Sequence, residues 1–520
     1  MTDFLMMRHF RQIGLEFERR NWLADSVTVD SFVTTRAYAG RLAGADDGDR
    51  VPIYRLLCPA VIDRDAGTAA AVEDEVRLRT PPVHDNEAAA EALLAECLPG
   101  LCPDRPCRAL EEVRNQAPPA ADFFTRYGYR CLGPILSGFG GWVWGRRQVL
   151  GRGVLVGLLR DGRLLGQAVA AACPDAGNGL REAWLSRQVC LTAAIRSADD
   201  REGLRTLLIR ARAVPATVGQ ALDELGLSAE RDRCPLVADQ VLDGTRFEAF
   251  WAWLAGRAAL RAHLDHHCRT LRRAVIDHLG AANALDQGDI GLVDVGYAGN
   301  LQRALAIILA AEGRSTPLWG AYLITSEGAL WTAATAGPIW GYLAAYGAPS
   351  WLSSLWLRAR DLFEAVLAQP YGALTGYGPG GVAIPGPSPL PAAQVADVAR
   401  IQEGALAFVR RWRAQRRDGD SDGSVELAQA RLIAARMALL PSPEEVRRLG
   451  DWLCDDALAV GQPRRLTAPV VSARDAFLAP RARLLWPAGS AVAAAATPSE
   501  VLAAWMADRA VMGSRPQALG

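Results

Sequence analysis

The sequence predicts an α/β protein: a parallel sheet flanked by helices, with a short, mixed amino-terminal region and a mainly helical carboxyl-terminal one. Three observations carry this. The segments "RGVLVGLLRDGRLLGQAVAAA" and "IGLVDVGYAGNLQRALAIILAA" each join an apolar strand to a helix through a short loop holding an acid and glycine. A Pro/Gly run, "YGPGGVAIPGPSPLPAAQ", then closes the strand-like part of the chain. Beyond it, "VADVARIQEGALAFVRRWRAQRR" and "SVELAQARLIAARMALL" carry apolar residues at three- and four-residue spacing, the period of a helix face.

Taken in order, residues 1–115 are mixed, with the apolar segment "DSVTVDSFVTT" ahead of acidic, alanine-rich stretches such as "NEAAAEALLAECL". Residues 116–385 hold most of the strand-like and aromatic segments. Their first unit reads as a strand over Val154–Leu159, a turn at Asp161 and Gly162, and a helix; the second has a strand ending at Asp294 and a helix from near Asn300. Alternating units of this kind imply parallel strands with helices on the sheet faces. Residues 386–520 are mainly helical, with "RRDGDSDGS" as a solvated loop. No repeat of solenoid period is present.

Composition removes several function classes. At 520 residues the chain exceeds the size at which one core stops growing, so two or three domains are expected. Fifty-seven basic residues balance 57 acidic ones. That balance leaves no global field to steer nucleic acid or an anionic membrane. Every basic residue of that count is Arg, because the sequence contains no Lys. A lysine-free chain forms no lysine Schiff base, anchors no pyridoxal phosphate covalently, and has no Walker A lysine. Arg clamps phosphate but is no general base at neutral pH, so a base must come from Asp, Glu, His, Tyr or Cys.

The N-terminus "MTDFLMMRHFRQIGLEF" lacks the pattern of a secretory signal, and no 18-residue apolar stretch is present. No membrane span is therefore expected, and the chain reads as cytoplasmic with reduced thiols. Cys97, Cys102 and Cys107 recur at five-residue steps, wider than usual zinc pairs, among prolines that favour an irregular loop. "HLDHHCRT" sets His263 and His267 one helical turn apart, but without the zincin glutamate and amid Arg residues it reads as a surface helix.

Candidate chemistry gathers at the strand ends. Ligands of parallel sheets bind beyond the carboxyl ends of the strands, where Asp161 and Asp294 belong. Gly296 and Gly299 allow close backbone approach, and Asn300 is a good N-cap for a helix whose free N–H groups favour an anion. Gln302 offers an amide near the helix start. Arg160 and Gly162 flank Asp161, and "WLSRQV" adds Ser186 and Arg187, the latter a phosphate or carboxylate clamp. Glu364, ahead of a glycine- and tyrosine-rich loop, is a candidate base. The default for an isolated motif is plainer: Asp294 and Asn300 then only satisfy backbone groups at a turn, and Arg187 forms a structural salt bridge.

The ordered motifs "YGYRCLGPILSGFGGWVWG", "LLRDGRLL", "LSRQ", "LVDVGYAGNLQRAL", "WGAYLI", "FEAVLAQPYGALTGY" and "IQEGALAFVRRW" resemble a family of hydrolases of the haloacid dehalogenase superfamily. That family is found near bacterial surface-polysaccharide genes, and the resemblance spans about residues 27–415. It implies an amino-terminal phosphohydrolase-like domain, magnesium as cofactor, and "VTVDSFVTTRAY" as the first motif, with Asp30 as nucleophile and Thr34 four residues on. Val33 and Phe32 stand where acids are usual, the later lysine is missing, and only about 85 residues follow Thr34 before the next region. The resemblance therefore implies a reduced domain that has lost its phosphatase site, with the middle region carrying the function.

Three functions follow as expectations. One is an enzyme that hydrolyses or transfers a group on a phosphorylated sugar, sugar nucleotide or related metabolite in surface-polysaccharide synthesis. Another is a phosphoribosyl- or glycosyl-type transferase, because "VGLLRDGRLLGQAVA" and "GLVDVGYAGNLQ" are similar to the glycine loop and diphosphate loop of phosphoribosyltransferases, although the second has one acid and no threonine. The last is a noncatalytic partner of a polysaccharide-assembly protein, using the Trp-rich "GPIWGYLAAYGAPSWLSSLWLRAR". Both enzyme readings require Asp161 and Asp294 to converge on one pocket.

Overall fold

The computed structural model describes residues 87–512, apart from 99–106, 119–120, 151–152, 160, 211–214, 286–287, 327, 346–349, 417–422, 455–462 and 480–483. Asp30, Thr34 and Arg160 lie outside the described residues.

Five apolar runs form one sheet: β1 (Val154–Leu159), β2 (Leu180–Trp184), β3 (Ile290–Tyr297), β4 (Leu318–Thr325) and β5 (Ile339–Ala344). Their order is β2-β1-β3-β4-β5 and every pairing is parallel, with Leu155 opposite Leu180, Val154 opposite Ile290 and Asp294 opposite Tyr322. Alternate residues enter different cores. Leu155, Val293 and Leu323 pack on one face, and Val154, Val156 and Leu292 on the other. This is the two-residue period of a strand, and burial on both faces explains why "VLVGLL" shows no polar alternation.

Ahead of the sheet come α1 (Glu87–Cys97), α2 (Arg108–Asn115), α3 (Phe123–Tyr127) and α4 (Gly133–Leu150). A π-helical turn, Gly128–Leu132, joins the last two. α5 (Gly162–Ala172) links β1 to β2, α6 (Arg187–Ala194) and α7 (Ala258–Ala281) fall between β2 and β3, and α8 (Asn300–Ala311) links β3 to β4. After the sheet come α9 (Arg360–Leu367), a hairpin of β6 (Leu374–Tyr377) and β7 (Ala383–Pro385), α10 (Ala392–Gln415), α11 (Gly423–Leu439), α12 (Pro443–Leu449), and a second hairpin of β8 (Leu453–Cys454) and β9 (Arg464–Arg465).

Apolar side chains of α4, α5, α10 and α11 cover one sheet face, and those of α6, α7 and α8 the other. Leu94 of α1, Phe139 of α4, Ile401 of α10 and Ile433 of α11 meet in a single core, so the amino-terminal, middle and carboxyl-terminal regions pack together. Among the described residues no helix is long and apolar enough to cross a membrane.

The connections place the site. From β1 the chain returns through α5 to β2 on one side, then crosses to β3 on the other. The order reverses between β1 and β3, and the crevice beyond their carboxyl ends is the topological switch point at which such sheets bind ligands. β3 runs three residues further than the sequence predicts, to Tyr297, because Gly296 and Tyr297 still pair with Ile324 and Thr325 of β4.

Candidate active site at the β1/β3 crevice

Asp161 follows the end of β1, Asp294 lies three residues before the end of β3, and a glycine brings them together. A Cβ on Gly162 would lie 2.5 Å from the Val293 carbonyl oxygen and 3.4 Å from Asp294 Oδ1. Only glycine lets the first turn of α5 rest on the end of β3. Asp161 sits just before that turn without capping it through its side chain.

Asp294 is partly exposed as a residue, yet its carboxyl group is closely surrounded. Burial, followed by repulsion from Asp161 and a smaller one from Glu364, pushes it up to about 7, against the opposing effects of the Val295 N–H and the Arg187 guanidinium. A carboxylic acid that titrates near neutrality can give or take a proton where an ordinary aspartate cannot.

Glu364 reaches the same crevice from α9. Its Oε1 accepts the Tyr297 hydroxyl at 2.8 Å, and the Arg360 guanidinium lies 5.7 Å from the centre of the Tyr297 ring. Tyr297 has φ of 87°, a region that aromatic residues rarely adopt. Backbone strain of this sort costs on the order of 1–3 kcal/mol and persists where surrounding contacts over-determine it. Here the Glu364 bond, the Arg360 stacking and the ladder to Thr325 supply those contacts.

Beside these groups lies a cavity of about 30 Å³ lined by Asp161, Glu364, Gln369, Tyr371, Leu390 and Cys454. It holds about one water's worth of space. Tyr371 accepts a bond from Arg163 Nη1 at 3.2 Å and packs its ring 4.5 Å from that of Trp184. A wider, open depression of about 630 Å³ lies at the opposite end of the sheet, near Asp289, Arg314 and Thr316. Of the acids whose charges act on Asp294, Asp161 and Glu364 both line the smaller cavity; Asp294 itself lies behind them, outside its lining.

Several residues singled out in the sequence have other work. Gln302 is fully buried: its Nε2 donates to the carbonyls of Ala336, Gly337 and Pro338 at 3.1–3.2 Å, and its Oε1 accepts the Tyr322 hydroxyl at 3.2 Å. Its amide is spent inside the fold and does not reach the crevice. Ser186 caps α6, its Oγ accepting the Val189 N–H at 3.2 Å. The N-cap of α8 is Gly299 in the left-handed conformation, whereas Asn300 is the first helical residue and accepts from Arg303 at 3.0 Å. Gly296 has φ of 112°, and a Cβ there would meet the Ile324 carbonyl at 2.4 Å, so it serves the β3–β4 pairing. Arg187, the first residue of α6, remains exposed at the crevice mouth with its charge felt by Asp294. Tyr297, Arg360 and Tyr371 join the site without having been singled out. The one local signal was tyrosine inside the quoted glycine loops.

The fate of Gln302 carries a prediction. Gln302→Ala removes a bond from each of three carbonyls, of which Pro338 keeps the Gly320 N–H, and from the Tyr322 phenol, and is expected to lower unfolding free energy by about 2–4 kcal/mol. Urea denaturation measures that loss, and ligand affinity of the folded variant should be unchanged.

Among the described residues the only three metal-type ligands whose donor atoms lie within 4.8 Å of one another are Glu87, Cys131 and Glu445. They are far from fitting a metal: Arg436 donates to Glu445 Oε2 at 2.7 Å and contacts Cys131 Sγ at 2.9 Å, so a guanidinium already supplies the cation. Burial pushes the Cys131 thiol up to about 12, which keeps it protonated. His263 Nε2 lies 2.7 Å from the Gly226 carbonyl oxygen, and its ring stacks 6.5 Å from that of His267. At the crevice Asp161, Asp294 and Glu364 do not form a closed cage. Asp161 and Asp294 are oxygen donors of the kind that magnesium takes alongside waters and a substrate phosphate.

No protein-family model and no curated protein matches this sequence. The functional reading therefore rests on the chemistry of the crevice.

Proposed function

We propose that the β1/β3 crevice binds and acts on a phosphorylated sugar or related small metabolite, with Asp294 as general acid. One observation carries the reading: a carboxyl group raised to about 7 between two further acids and an exposed guanidinium, at the switch point of a parallel sheet. Asp294 in its acid form protonates a leaving oxygen. Glu364, oriented by Tyr297, accepts a proton from water or from an acceptor hydroxyl. Arg187 holds the phosphate as a two-pronged clamp, a role that suits Arg better than any other side chain. Magnesium held by Asp161 would neutralise phosphate charge beside the acids and leave Asp294 its proton.

The resemblance to haloacid-dehalogenase-like hydrolases supports a role in surface-polysaccharide biosynthesis and implies that the amino-terminal phosphatase site is lost. A phosphoribosyl- or glycosyl-type transferase is the second reading, favoured by the close approach of the turn after β1 to Val293 and Asp294 of β3 at Gly162. The convergence of Asp161 and Asp294 supports either enzyme over a noncatalytic scaffold for a polysaccharide-assembly protein.

A thermal-shift screen tests this with phosphorylated sugars, sugar nucleotides and phosphoribosyl diphosphate, each with and without magnesium. A ligand at a hundredfold excess over its Kd stabilises the native state by about 2.7 kcal/mol, a readable rise in Tm. The expected result is a rise in wild type that is lost in folded Asp294→Ala. Phosphoribosyl diphosphate as the sole hit would select the transferase. No shift from any compound would overturn the enzyme reading.

A further inference from the structure

The segment of residues 369–390 lines the cavity at both of its feet, through Gln369 and Tyr371 at one end and Pro389 and Leu390 at the other. Between the feet lies the β6–β7 hairpin, and a histidine helps tie that hairpin to the end of β2. The backbone N–H of Trp184, the last residue of β2, donates to His278 Nε2 at 2.8 Å. His278 Nδ1 lies 2.8 Å from the Gly381 carbonyl in the hairpin turn. An amide N–H can only donate and a carbonyl can only accept, so Nδ1 carries the proton and the ring is neutral. Tyr377 reinforces the junction, its hydroxyl bonded to the Trp184 carbonyl and its ring 5.1 Å from the imidazole. Gly381 has φ of 73°, and a Cβ there would strike the His278 backbone nitrogen at 2.3 Å, so the turn is seated directly on α7.

We propose that His278 is a pH-sensitive latch: neutral, it holds segment 369–390 against the end of β2, and protonated, it releases the hairpin and loosens the wall of the cavity. Protonation puts a second N–H on the ring, facing the Trp184 N–H that it formerly accepted. Two donors then oppose each other and the bond is lost. Burial already holds the ring below its ordinary value, against the smaller opposing effect of the Gly381 carbonyl.

No charged neighbour competes for control of the ring. From β6 it faces the Tyr377 phenol, and the Cys190 thiol of α6 acts on that phenol. Arg181 of β2 donates to the Leu180 carbonyl and Glu182 pairs with Arg163. The helix Gly244–Ala255 brings Arg246 and Glu248, paired with Asp243 and Arg201. Asp277 of α7 precedes the ring in sequence, and the turn Pro379–Gly381 has no ionisable side chain. Only burial and Gly381 act on His278. Because its native value is depressed, the latch contributes fully above about pH 6.5 and weakens as pH falls below that value.

The consequence for access rests on the proposed function, since a cavity with room for about one water admits a metabolite only when its wall moves. The latch itself does not depend on that reading. Hydrogen exchange of the full chain between pH 8 and pH 5, corrected for intrinsic exchange rates, measures it directly. Protection of amides in residues 374–385 is expected to fall by up to about tenfold per pH unit below 6.5. His278→Gln keeps one donor and one acceptor but cannot titrate, and should flatten the profile. Tyr377→Phe should lower protection at every pH while keeping the wild-type midpoint. A flat wild-type profile, or the wild-type profile retained in His278→Gln, would overturn the latch. Should His278→Gln fail to fold, the midpoint shared by wild type and Tyr377→Phe decides: near 6.5 or below upholds the latch, and its absence refutes it.

Discussion

Asp294→Asn is expected to lower kcat by about 10²- to 10⁴-fold on whichever compound the screen identifies, the range that a positioned general acid supplies. The substitution preserves shape and removes only the titrating proton. In wild type, activity should fall as pH rises through about 7, because burial and the negative charge of Asp161 keep the acid form populated up to that point. The residual activity of the variant should lack this limb. A variant with full activity, or one retaining the limb, would refute the role.

The same shift has a sign for stability. A carboxyl group whose native value is raised stabilises the fold fully below its unfolded value and loses that contribution as pH rises through about 7. Above neutrality the wild type must hold a charge that Asp294→Asn does not. The variant is therefore expected to be more stable than wild type at pH 8, by on the order of 1–3 kcal/mol, and to lose that advantage at pH 5. Urea midpoints at the two pH values check this without any substrate. A site optimised for proton transfer at the expense of stability gives this pattern.

The other large effect lies in the helical layer. Arg436 of α11 is 1% exposed; it donates to Glu445 Oε2 at 2.7 Å, touches Cys131 Sγ at 2.9 Å and has Glu91 at 3.8 Å. Beside it Arg114, 2% exposed, grips Glu91 through two bonds of 2.6 and 2.8 Å. Glu445 also closes the capping box of α12 with Ser442, so the cluster joins α1, α2, α11 and α12. Arg436→Ala leaves a buried carboxylate uncompensated, and about 3–5 kcal/mol of stability is expected to go with it. Arg436→Met combined with Glu445→Gln should recover part of that loss, because removing both charges removes the desolvation penalty as well. Denaturant unfolding of wild type, Arg436→Ala, Arg436→Met, Glu445→Gln and the double variant reads the coupling, and additive losses in the double variant would show that the pair is not coupled.

Much of the sheet was legible in local sequence. An apolar run of six to eight residues that stops at an acid beside glycine specifies strand, loop and helix within one window, which is why Val154–Leu159 and the start of α8 fall where they were predicted. The capping detail was not: Asn300 suits an N-cap by type, yet Gly299 takes the position because the chain needs a left-handed turn there. Gln302 looked available because it stands near the helix start. Its partners stand twenty residues further on, at Tyr322, and more than thirty, at Ala336 to Pro338.

By itself the sequence determined the α/β class, the two strand-loop-helix units with an acid in each, and the exclusion of lysine chemistry, although β3 runs three residues past Asp294. These depend on residue type and on neighbours a few positions apart. Tertiary structure alone decided that β1 lies beside β3, that Gly162 presses Asp161 and Asp294 together, and that Glu364 meets Tyr297 across 67 positions of chain. It also decided that His278, an unremarked residue on a long helix, bridges β2 and a hairpin about a hundred residues away. A carboxyl group's proton affinity and a histidine's tautomer are set by what surrounds them in space. Burial and charge at that range are properties of the packed fold, and no window of sequence contains them.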